Sequence, residues 1–93
     1  MAQIKSDDMA EKNYFSHTSP TYGSPFDMLK QFGMDYTKAS ENIAAGQQTP
    51  DSVVQGWLNS EGHRRNMLDA EVTHIGVGYS SDGNYWTQLF IKK

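Results

Sequence analysis

The chain of 93 residues contains no cysteine, which excludes a disulfide framework, a thiolate nucleophile and any zinc site built on sulfur. It also leaves the redox compartment open, since a chain without thiols folds equally well inside or outside a cell. Basic residues are sparse. The formal charge is −3 with a pI of about 5.4, and Arg64 and Arg65 are the only adjacent basic pair before Lys92 and Lys93. Nucleic-acid recognition needs clustered Lys and Arg, so that class of partner is excluded. No apolar run approaches the roughly 20 residues that a membrane-spanning helix requires. The opening residues lack the basic start and apolar stretch of a signal peptide, so location has to be read in another way. Internal repeats and low-complexity tracts are absent as well.

What is present fits one domain, residues 1–93, because the chain is too short for two cores. A domain of this size removes only about 60–65% of its unfolded surface from water, so each apolar face has to be used. "MAQIKSDDMAEKNYF" reads as a helix already under way, without a capping residue in front of it, as in a domain cut from a longer chain. Its stripe of Ile4, Met9, Tyr14 and Phe15 opposes Lys5, Asp7, Asp8, Glu11 and Lys12 and predicts an end near Phe15. In "SPFDMLKQFG", Ser24 is an N-cap, Pro25 sits where its missing donor costs nothing, and Gly33 is a stop. Phe26, Leu29 and Phe32 are its expected core residues, with Met28 at the edge. "TPDSVVQGWLNSEG" repeats that grammar, with Thr49 as cap, Gly62 as terminator and Val53, Val54, Trp57 and Leu58 as the buried stripe. "THIGVGYSSDGNYWTQLFIKK" alternates as two strands around an Asp82-Gly83 turn. An isolated hairpin is marginal, and "SENIAAG" is the candidate third strand.

Five strings, "NYFSHTSP", "SENIAAG", "WLNSEGHRRNML", "HIGVGY" and "YWTQLF", occur in the order seen in the CAP superfamily of cysteine-rich secretory, antigen 5 and pathogenesis-related 1 proteins. The chain resembles the cysteine-free bacterial SCP-like branch from about Asn13 onward. The resemblance implies an α+β fold, an α-β-α sandwich with a small antiparallel sheet of about three strands between helices, in agreement with the elements read above. It implies that a further helix normally precedes this sequence, whose loss would uncover apolar surface; a homodimer is the expected cover. It also implies a secreted or cell-surface setting.

Within the family a cleft gathers two histidines and acidic residues, and the matching positions here are His17, Glu41 and His63. The fourth position departs from the pattern. Where members with the full tetrad carry Glu, this sequence has Ser60, followed by Glu61, and a one-residue step turns a helical side chain by about 100°. Neutral imidazoles of His17 and His63 with Glu41 would suit zinc or another divalent cation. Each has a plainer reading beside it: a structural hydrogen bond for the histidines, a turn-stabilising carboxylate for Glu41. Ser60 lacks the setting of a nucleophile elbow and reads as a helix-terminal serine bonding back to the chain. Arg64 and Arg65 read as helix-end residues pairing with Asp69 and Glu71, and His74 as a partly exposed strand residue. Gln88, among aromatic residues on the last strand, is expected to bond the cleft backbone. The preferred function is a binding module whose ligand is a divalent metal, a lipid or sterol, or a cell-wall component. The alternative is a metal-assisted hydrolase or peptidase using the same residues.

Overall fold

The computed structural model describes all of residues 1–93. Four helices, α1 (Ala2–Lys12), α2 (Pro25–Gln31), α3 (Pro50–Leu58) and α4 (Glu61–Met67), accompany three strands, β1 (Lys38–Ala45), β2 (His74–Ser80) and β3 (Tyr85–Lys92). The strands form one antiparallel sheet in the order β1-β3-β2. "SENIAAG" is thus the third strand, and it pairs with β3, so that Glu41 lies opposite Leu89 and Ala44 opposite Trp86. The β2–β3 hairpin turns through residues 81–84, with Gly83 and Asn84 both at positive φ, the conformation that a short loop needs and that these two residue types adopt most readily.

Period-two geometry divides the sheet into two faces. Thr87, Leu89 and Ile91 of β3, with Ala39, Glu41 and Ile43 of β1 beside them, face α1 and α2. A small core of Ala2, Leu29, Leu89 and Ile91 fills that side. Trp86, Gln88 and Phe90 face the other way, where Ala44, Val53, Trp57 and Trp86 form the second core under α3 and α4. The result is the helix-sheet-helix sandwich expected from the sequence.

Gly76 and Gly78 allow α1 to lie directly on β2. A Cβ on Gly78 would collide with the main chain of Ala2 and Gln3, whereas on Gly76 it would only touch the Ala2 methyl at 3.6 Å. The Gln3 amide completes this contact by accepting from the Tyr79 N–H at 3.0 Å and donating to the Tyr79 carbonyl at 2.6 Å, which closes the outer edge of β2 at that residue.

Several sequence expectations change in three dimensions. Helix α1 ends at Lys12, not Phe15, because Asn13 turns left-handed with φ 55°. Its buried stripe is Ala2, Lys5, Ser6, Asp8 and Met9, while Ile4 and Phe15 are exposed. The helical period was right, but polar residues occupy the inward positions because the loop that follows bonds to them. Helix α2 has the expected capping box, Ser24 Oγ accepting from the Asp27 N–H and Asp27 Oδ2 from the Ser24 N–H, each at 3.1 Å. It nevertheless buries Met28 and Leu29 and leaves Phe26 and Phe32 outside, Phe26 tilted against Tyr36 at a ring separation of 6.2 Å and Phe32 edge-on to Tyr22 at 5.8 Å. The helix after Thr49 stops at Leu58, and Gly62 lies inside the separate helix α4. Val53 and Trp57 are buried there, whereas Val54 and Leu58 are partly covered.

Candidate functional site

The loop after α1 carries His17, and buried polar groups fix it. Lys5, only 2% exposed, donates from Nζ to the His17 carbonyl at 2.9 Å and lies over the Tyr14 ring, 5.3 Å from its centroid. Asp8 Oδ2 accepts from the Tyr14 and Ser19 hydroxyls, both at 2.6 Å. Ser19 in turn accepts from the N–H groups of Thr21 and Tyr22 and makes paired main-chain bonds with Gly23. Sequence reading missed Lys5, Asp8 and Ser19 as builders of the site; the signal available was their place on the same helical stripe as Ala2 and Met9, or in the loop it faces.

His17 meets Glu41 directly, Nδ1 to Oε1 at 2.9 Å, with side-chain exposures of 55% and 3% respectively. Burial pushes the Glu41 carboxyl above the usual range, and the hydrogen bond from His17 with the positive field of Lys5 and His17 offsets part of that. Lys5 is lowered by burial, offset by the nearby Glu41 and Asp8 carboxylates. For Asp8 burial pulls upward, but the bonds from Ser19 and Tyr14 and the fields of Lys12 and Lys5 outweigh it, so the carboxyl ends below its ordinary value. The pair is thus a solvent-facing imidazole backed by a buried acid.

On the opposite face of β1, Asn42 is wholly buried and joins the strand to α4 and β3. Its Nδ2 donates to the His63 carbonyl at 3.1 Å and to Gln88 Oε1 at 3.2 Å, while its Oδ1 accepts from Asn66 Nδ2 at 2.9 Å. The partner of Gln88 is therefore a side chain and not the cleft backbone. The His63 main chain is held by this network, but its ring is not: Nδ1 is buried without a hydrogen-bond partner. The ring lines a groove of about 260 Å³ with Phe15, Ala45, Gln47, Trp57 and Ser60. Ser60 is the N-cap residue of α4, yet its hydroxyl makes no capping bond, contrary to the expectation that it bonds back to the chain.

The structure joins the three candidate residues in different ways: His17 and Glu41 meet side chain to side chain, whereas His63 reaches β1 through its carbonyl. No group of three or more His, Asp or Glu side chains is placed to hold a metal ion. The donor set at this site therefore does not fit the zinc centre that the resemblance implies. Arg65 pairs with Glu61 at 3.2 Å and Arg64 donates to the Leu58 carbonyl at 3.3 Å. Lys38, not an arginine, bonds Asp69 and Glu71. His74 Nδ1 bonds Thr73 Oγ1 at 2.8 Å, on the exposed side of β2.

The chain is 63% identical over 92 residues to the Bacillus subtilis protein YkwD, covering 99% of this chain and 36% of that one. It is 50% identical over 88 residues to the Bacillus subtilis membrane protein YlbC, covering 95% of this chain and 25% of that one. It therefore spans about a third or less of the curated relatives it matches. Among solved structures, an extracellular SCP-domain protein of Bacillus anthracis superposes with a TM-score of 0.93 at 46% identity, over 99% of this chain and 30% of that one. An outer surface protein of Borrelia burgdorferi has the same fold, with a TM-score of 0.87 at 22% identity over 99% of this chain and 70% of that one. The sequence pattern of the cysteine-rich secretory protein family matches residues 1–90. With that match over nearly the whole length and the sandwich fold shared with its solved relative, the chain belongs to that family, the CAP proteins.

Proposed function

We propose that this domain is an extracellular or cell-surface binding module that engages an envelope component at the uncovered end of β1, through His17 and the neighbouring groove. The observation that carries this reading is the division of labour around β1. The acid backing His17 is buried and committed to it, while the His63 ring has neither an orienting carboxylate nor a bond to the Ser60 hydroxyl. A nucleophile, a base and an orienting acid within mutual reach are the minimum of a hydrolytic site that works through a side-chain nucleophile. An exposed imidazole above a buried carboxylate, beside a part-apolar groove, is equipped instead to hold a polar ligand. Likeness to an extracellular and an outer surface protein supports the location.

The test is depletion of the purified domain from solution by isolated bacterial cell-wall sacculi, with anionic phospholipid vesicles and zinc titration as parallel arms. Saturable binding to sacculi, reduced by His17→Ala and without release of soluble product over hours, is expected. Product release proportional to protein and abolished by His63→Ala would replace this reading with a hydrolase.

A second proposal concerns self-association. Ile75 and Val77 on the edge strand β2 are 57% and 62% exposed, an arrangement that invites pairing with another strand. A second copy would cover them, and sedimentation showing only monomer at millimolar concentration would remove this proposal.

A further inference from the structure

We infer that the groove beside β1 takes an extended peptide segment held by its main chain; this rests on the binding-module reading and assigns its ligand class. Strand β1 lies at the edge of the sheet. In an antiparallel pair, alternate residues turn their N–H and C=O groups away from the partner strand. On β1 these are Glu41, Ile43 and Ala45, as their partners confirm: the Glu41 carbonyl accepts from Asn66 Nδ2 at 3.4 Å and the Ile43 carbonyl from Trp57 Nε1 at 3.1 Å. Helices α3 and α4 thus close the edge with side chains as far as Ile43. At Ala45, the next residue in the row, that cover ends, and Ala45 is exposed.

The groove opens at this point. Its lining includes both of the buried side-chain atoms in the molecule that lack a hydrogen-bond partner, Gln47 Oε1 and His63 Nδ1. Nearly all buried polar atoms in folded proteins are paired, so two orphans sharing one groove mark a place for a ligand's polar groups. Gln47 Oε1 can only accept, and so requires an N–H or O–H. The open end of β1 offers the Ala45 main-chain groups, and an extended peptide that bonds them brings further N–H groups into the groove, including one for Gln47. Phe15, 53% exposed, forms an apolar wall for a side chain of that peptide. The volume of about 260 Å³ is below that of a drug-sized ligand site and suits a short stretch of peptide.

The test is a titration of the 93-residue chain followed by ¹⁵N–¹H correlation spectra, with acetyl-Ala-Val-Ala-Val-amide as probe. The same peptide N-methylated at every internal amide and the sugar maltotriose are the comparators. Saturating shifts are expected at the Ala45 amide, the Gln47 side-chain amide and the Trp57 indole with the plain peptide and with neither comparator. Gln47→Leu should weaken binding about tenfold, the equivalent of one hydrogen bond, and Gln47→Glu, which keeps the acceptor, should stay within about twofold of the parent. The Gln47 side chain bonds nothing else in the fold, and spectra of the free variants show directly that they remain folded. Absence of saturable shifts, equal shifts with the N-methylated peptide, unchanged affinity in Gln47→Leu, or maltotriose acting in the peptide's place would each overturn the assignment. Sacculus binding that persists without any peptide shift would overturn this inference alone and leave the binding module standing.

Discussion

Ser6 and Thr87 provide a measurement of how firmly α1 is tied to the sheet that carries Glu41. Both are completely buried, and their hydroxyls lie 2.8 Å apart, each the other's side-chain partner. Ser6→Ala strands the Thr87 hydroxyl in the core, where an unpaired buried polar group costs about 1–3 kcal/mol. The better helix propensity of alanine returns about 0.5 kcal/mol, so a net loss of about 1–2 kcal/mol is expected. Thr87→Val strands the Ser6 hydroxyl instead, but a helical serine can turn back to the carbonyl of residue i−4, here Ala2, so the expected loss is smaller, about 0.5–1 kcal/mol. The double variant leaves no hydroxyl unpaired and should lie within about 0.5 kcal/mol of the parent, which makes the coupling between the two sites about 1.5–3 kcal/mol. Urea denaturation followed by the fluorescence of Trp57 and Trp86, one on α3 and one on β3, reads all four proteins. For a domain of this length 1 kcal/mol corresponds to about 4–8 °C in Tm, so thermal unfolding resolves the same cycle. Losses that simply add in the double variant would refute the reasoning, because they would mean that each hydroxyl has some other partner in the native state.

Glu41 has a folded-state pKa raised by burial, so the fold favours its protonated form; its contribution to stability should decline as pH rises through the interval between the ordinary carboxylate value and the raised one. Denaturation midpoints across that interval should show the decline in the parent and lose it in Glu41→Gln, and an identical pH slope in the two proteins would refute the assignment. Gly78→Ala drives a methyl into the main chain of Ala2 and Gln3, and overpacking of this kind costs about 1–3 kcal/mol. Hydrogen exchange should then show α1 losing protection before β3, whereas an equally protected α1 would contradict the close contact. Ser24→Ala removes half of the α2 capping box, with an expected loss of about 1 kcal/mol by urea denaturation; an effect below about 0.3 kcal/mol would mean that water replaces the cap.

Sequence reading was most reliable where the causes are local. The Ser24-Pro25 and Thr49-Pro50 starts depend on groups within four residues of one another, and both formed as expected. The strand alternation was legible for the same reason, since a side chain's face follows from the backbone period alone. Inward positions on α1 and α2 were not. Lys5 and Asp8 are charged, yet they are buried because the His17 carbonyl and the Ser19 and Tyr14 hydroxyls come to them from a loop. Phe26 and Phe32 were read as core by their apolarity, but α2 is short and has room for only Met28 and Leu29 beneath it.

For the site, the family likeness carried by "SENIAAG" and the two histidine strings named His17, Glu41 and His63 as candidates and implied that they share a neighbourhood. How they are joined was decided by tertiary structure. Successive residues of a strand point to opposite faces, so Glu41 turns toward α1 and His17 while Asn42 turns toward α4 and the His63 carbonyl. The sequence places these two residues side by side, and the pleat separates their partners by the thickness of the sheet. Gln47 and the uncovered end of β1 could be found only in the folded chain, because an unpaired atom is defined by everything that fails to reach it.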